Sequence, residues 1–76
     1  MALVTEITRQ NLDRNVKHDP VQCTYSVVLE SDGRRCLQLD TYGSNRRQMK
    51  NKKSQSIRFT PEAMFQLRKI IEEHGF

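Results

Sequence analysis

Tryptophan is missing from this 76-residue chain, three Phe and two Tyr are its only aromatics, and apolar residues make up just 36% of it. So little apolar material excludes a large self-sufficient core, because a domain of this size buries only roughly 60% of the surface its unfolded chain exposes. One domain is expected over residues 1–76, and a homodimer would enlarge its core. No apolar run approaches the ~20 residues of a membrane span, and the N-terminus lacks the charged-then-apolar layout of a signal peptide. A soluble, cytoplasmic protein with no membrane partner is therefore expected. Cys23 and Cys36 are too few for a disulfide scaffold. Together with His18 and His74 they make four potential zinc ligands, but no C-x-x-C or H-x-x-x-H pair pre-forms half a site. No metal and no cofactor is expected.

A second shortage is local. Between Asp40 and Glu62 there is no carboxylate, while Arg46, Arg47, Lys50, Lys52, Lys53 and Arg58 all fall there. That interval carries +6 and the remainder −2, in a chain of net charge +4. Clustered charge of one sign is the pattern of a binding patch. The plainer reading of a basic run is a solvated loop that aids solubility. The missing acids and the adjacent Tyr42 favour the patch.

The clearest element is the last. Thr60 suits an N-cap, Pro61 the first helical position, and Glu62 the positive end of the helix dipole. Met64, Leu67, Ile70 and Ile71 then recur at three- and four-residue spacing, and Gly75 supplies a stop. At this spacing the stripe predicts the lid of the only core. Upstream, Val21, Cys23, Tyr25, Val27 and Leu29 alternate with Gln22, Thr24 and Ser26, the period of a half-buried strand. Leu37 and Leu39 resume the alternation after Ser31-Asp32-Gly33. A two-residue Asp32-Gly33 loop would put Leu37 and Leu39 on the face opposite Val27 and Leu29. A three-residue loop with left-handed Gly33 sets Val27 against Leu37 and Tyr25 against Leu39, and places Glu30 beside Arg34. The three-residue loop is the expectation.

"QSIRF" predicts another strand that runs directly into the helix. "ALVTEIT" is compatible with a first strand or a short helix; strand is the expectation, followed by a polar connection ending at Pro20. The predicted fold is α+β: an antiparallel four-stranded meander with one C-terminal helix packed on one face (ββββα). Tyr25, Val27, Leu29, Leu37, Leu39, Ile57 and Phe59 would lie beneath Met64, Leu67 and Ile71. Thr24, Ser26, Gln38, Asp40, Tyr42, Ser56 and Arg58 would line the other, open face.

The stretch "IRFTPEAMFQL", Ile57 to Leu67, resembles the positive-cofactor-four type transcriptional coactivators, single-stranded DNA-binding proteins, and their small bacterial or phage-type relatives. Ile57, Phe59, Pro61, Glu62, Gln66 and Leu67 match that family's strand, capped turn and helix, with Thr60 in place of the usual Asn. "LQLDTY" is similar to the family's strand of apolar-x-Ile/Leu-Asp followed closely by Tyr, which a basic loop follows. Met64 stands where the family often has Trp, and Ser56 where it has Gly. The likeness covers roughly Leu37 to Ile71. It implies a homodimer whose open sheets and basic loops bind single-stranded DNA or unwound duplex. Lys52, Lys53 and Arg58 fall where the family places contact residues, as does Tyr42.

The basic interval independently suits a phosphate backbone. Each Lys or Arg can neutralise a phosphate and release a counterion, and Tyr42 offers a surface on which a base can stack. Six such contacts to one strand would give a slope of log K against log salt of roughly −4. Sequence-tolerant binding of single-stranded DNA or RNA through Tyr42, Arg46, Arg47, Lys50, Lys52, Lys53 and Arg58 is the leading expectation, with a transcription or replication accessory role and nucleoid association. The alternative is a small regulator whose basic loop docks on an acidic protein partner. An enzyme is not expected: no nucleophile with a base, carboxylate pair, metal set or phosphate-cradling glycine motif stands out, and Asp40 is better placed to pair with Arg58 across the open face or to cap the loop.

Overall fold

The computed structural model describes residues 1–43 and 53–76. They form β1 (Ala2–Val4), β2 (Cys23–Leu29), β3 (Arg35–Tyr42), β4 (Lys53–Phe59) and α1 (Pro61–His74). None of these is a helix long and apolar enough to cross a membrane.

The β2–β3 hairpin has the register of the three-residue loop. Val27 lies opposite Leu37 and Tyr25 opposite Leu39. Gly33 takes φ 87°, a left-handed conformation that side chains resist. The turn is closed by hydrogen bonds from Glu30 N–H to the Arg34 carbonyl (2.8 Å) and from Gly33 N–H to the Glu30 carbonyl (2.9 Å). β4 pairs antiparallel with β3, setting Leu37 against Phe59 and Leu39 against Ile57. Strands β2 to β4 are thus a meander.

The first strand departs from the expected meander. It is only three residues long and pairs parallel with β4, matching Ala2 to Ile57 and Val4 to Phe59, so the sheet is mixed with order β1-β4-β3-β2. The polar segment 5–22 joins β1 to β2 and so carries the chain from one edge of the sheet to the other. Its outcome is that β2 is an edge strand.

The helix begins and ends as its caps dictate. The Thr60 hydroxyl accepts a hydrogen bond from Ala63 N–H at 3.2 Å, Pro61 opens the first turn, and Gly75 closes the last at φ 70° with its N–H directed to the Ile71 carbonyl. The first turn is its anchor. Thr60 is buried, Ala63 is 0% exposed, and Thr60 N–H donates to the Val4 carbonyl at 3.1 Å. Further along, the Gln66 side chain accepts a hydrogen bond from Ile7 N–H at 2.7 Å.

The lid is smaller than predicted. The helix meets the sheet chiefly at β3 and β4. A helix is about 10 Å across, the width of two strands spaced 4.8 Å apart, so one helix cannot span four. Leu37, Leu39, Ile57 and Phe59 are accordingly half-buried. On the unroofed edge strand Tyr25 stays 72% exposed, Val27 61% and Leu29 70%. Ile71, expected in the core, is exposed, whereas Ala63 is the helical residue the fold encloses.

Candidate nucleic-acid interface

Strand parity sends Thr24, Ser26, Gln38, Asp40, Ser56 and Arg58 to one face of the sheet. The register makes Ser26, Gln38 and Arg58 lateral neighbours in one row, and Thr24, Asp40 and Ser56 in the next. No helix residue lines the shallow cleft above Gln38, Ser56 and Arg58; Met1, Ala2, Leu3, Glu30 and Ile57 complete its walls. Segment 5–20 contributes nothing to it. The helix leaves this cleft uncovered, while Cys36 and Asp40, which share the parity of Gln38, are buried on the same side.

Its side chains form a continuous chain of hydrogen bonds. Arg58 donates from Nε and Nη2 to Gln38 Oε1, at 3.0 and 2.6 Å, and from Nη1 to Glu30 Oε1 at 3.0 Å. Gln38 Nε2 donates onward to both oxygens of Asp40, at 3.0 and 3.2 Å. Asp40 also accepts from the Ser56 hydroxyl at 2.5 Å and faces Lys53 Nζ at 3.5 Å. Although Asp40 is only 2% exposed, its carboxylate is fully partnered. The Ser56 hydrogen bond is the largest influence on its acidity. With help from Gln38 and Lys53 it outweighs the opposing effect of burial and holds the carboxyl below the usual aspartate range.

Two expected pairings are exchanged. Arg58 reaches Glu30 instead of Asp40, and Arg34, expected beside Glu30, instead forms an ion pair with Glu62 in the first turn of the helix. The sheet explains the first exchange. Asp40 is consumed by Ser56, Gln38 and Lys53, while Glu30 shares the parity of Ser26 and Val28 and projects over the same face. The long Arg58 and Glu30 side chains meet across β3 beside Cys36, which is buried and whose thiol burial, then the Glu30 charge, push upward. Glu30 is the member of the face that sequence reasoning assigned elsewhere. Its strand parity was the available signal.

Tyr42 and Lys53 are register partners at the end of the β3–β4 hairpin, beyond a register shift at Thr41/Tyr42. The Tyr42 hydroxyl lies 3.1 Å from Thr24 Oγ1, which holds the ring on the polar side of the sheet. Tyr42, Lys53 and Arg58 are thus brought to one surface. Arg46, Arg47, Lys50 and Lys52 lie outside the described residues, on the segment that joins Tyr42 to Lys53. Of the four potential zinc ligands, Cys36 is buried, Cys23 is exposed, and His74 stacks on Phe76.

Comparison with family models, with curated protein sequences and with solved structures gives no match.

Proposed function

We propose that the protein is a sequence-tolerant binder of single-stranded nucleic acid and acts as a homodimer. The observation that carries this reading is the placing of Tyr42, Lys53 and Arg58 along one polar face, with Tyr42 and Lys53 flanking a segment that holds four more cations and no acid. Phosphates would engage the cations, and bases would stack on Tyr42. The resemblance of Leu37 to Ile71 to the positive-cofactor-four type coactivators supports the same surface.

The opposite face supports the second copy. Among the described residues no large side chain is fully buried, and Tyr25, Val27 and Leu29 form an exposed apolar row on an edge strand whose outer backbone groups are unpaired. An identical row related by a two-fold axis is self-complementary, the arrangement of most homodimers. It would also cover the open edge, which folded proteins seldom leave bare.

A fluorescence-anisotropy titration of labelled oligo-dT at two salt concentrations, with the mass of the complex measured alongside, tests both parts. Binding that weakens steeply with salt, by a dimer, is expected. No binding near physiological salt removes the nucleic-acid reading, and a monomeric complex removes the dimer.

A further inference from the structure

Among the described residues, the cations of the polar face are electrically balanced. Arg58 and Lys53 are matched there by Glu30 and Asp40. A ligand phosphate that approaches Arg58 meets a guanidinium whose three nitrogens each already donate one hydrogen bond, Nε and Nη2 to Gln38 and Nη1 to Glu30, so the anionic position beside Nη1 is taken.

The two carboxylates differ in how firmly they are held. Asp40 is buried beneath hydrogen bonds from Ser56 and Gln38. Glu30 sits at the rim, just past the end of β2. Arg58 is its one side-chain partner among the described residues, and both side chains are about a third exposed, 32% and 31%. An ion pair so open to water is weak.

Building on the nucleic-acid reading, we infer that Arg58 is a phosphodiester seat whose occupant in the free protein is Glu30. A carboxylate and a phosphodiester offer a guanidinium the same pair of anionic oxygens. Binding is therefore an exchange. The phosphate takes the place of Glu30 Oε1 on Nη1, Glu30 swings into solvent, and Gln38 keeps the guanidinium in position. Asp40 acts at one remove, because its hold on Gln38 Nε2 turns Gln38 Oε1 toward Arg58. Glu30 thereby sets the affinity of the face and screens out anions too weak to displace it.

The test compares oligo-dT affinity of the full chain with that of E30Q, E73Q and the double variant E30Q/R58Q. Glu73 lies in the last turn of the helix, none of whose residues lines the cleft beside Arg58, so E73Q makes the same change in net charge without touching the seat. E30Q is expected to bind roughly three- to tenfold more tightly than E73Q, an exposed pair and a removed repulsion each contributing a few-fold. That gain is expected to vanish in the double variant. If the full chain binds and E30Q is no tighter than E73Q, or if the gain survives loss of Arg58, the exchange is wrong while the nucleic-acid reading stands. If no variant binds at any salt concentration, both fail together.

Discussion

The two faces of this sheet are finished to different degrees. On the polar face the hydrogen bonds run unbroken from Glu30 through Arg58, Gln38 and Asp40 to Ser56, and the most buried carboxylate is completely satisfied. On the apolar face a row of three large side chains stands in water. Burying apolar surface is the main favourable term in folding, at roughly 25 cal/mol per Å², so an uncovered row is the costlier omission. The difference teaches that the polar face satisfies itself within one protomer, whereas the apolar face does not. The proposed second copy would supply what that side lacks.

The largest effect should come from breaking that apolar row. V27D places a charge at the centre of the proposed seam and is expected to drop the mass in light scattering from near twice 9.0 kDa to near 9.0 kDa. A variant that remains dimeric would move the seam elsewhere. Next in size is A63L. Ala63 has no exposed surface, and forcing a larger side chain into the only enclosed part of the helix should cost about 1–3 kcal/mol. For a chain this short that lowers the melting temperature by roughly 4–8 °C per kcal/mol. An unchanged melting curve would show that the helix anchor is loose.

The polar face should respond in binding rather than in folding. R58Q is expected to weaken oligo-dT binding about tenfold, the worth of one charge-assisted hydrogen bond, and to make the salt slope shallower by about 0.7. An unchanged slope would take Arg58 out of the interface. The smallest effect concerns acid. Because the folded protein holds the Asp40 carboxyl below its ordinary value, Asp40 adds stability at neutral pH that is lost as pH falls through that lowered value. S56A removes the chief cause, so its acid unfolding midpoint should move upward by a few tenths of a pH unit, about what one such hydrogen bond contributes. A midpoint that stays put or falls would show that Ser56 does not control Asp40.

What was legible in the sequence was local. The helix limits follow from Thr60, Pro61 and Gly75, and the β2–β3 register from Gly33 together with the alternation of Val27, Leu37, Tyr25 and Leu39. Each is decided by residues a few positions apart. The place of β1 was not legible, since three residues carry no period and their partner lies more than fifty positions away. The partner of Arg58 escaped for a related reason. Pairing within the hairpin made Arg34 the obvious mate of Glu30, but the Arg34 side chain is drawn to Glu62 at the start of the helix, and Glu30 is left to the strand beyond its neighbour. The apolar face was identified residue by residue, while the extent of its cover depended on how far one helix reaches.

The most direct test of the central claim is a titration of the isotopically labelled protein with oligo-dT, followed by amide and arginine side-chain resonances. If the polar face is the platform, shifts should concentrate on Ser26, Gln38, Tyr42, Lys53, Ser56 and the Arg58 Nε–H, with Tyr25, Val27 and Leu29 unmoved. Shifts confined to the apolar row, or spread over the helix with the Arg58 resonance unchanged, would contradict it.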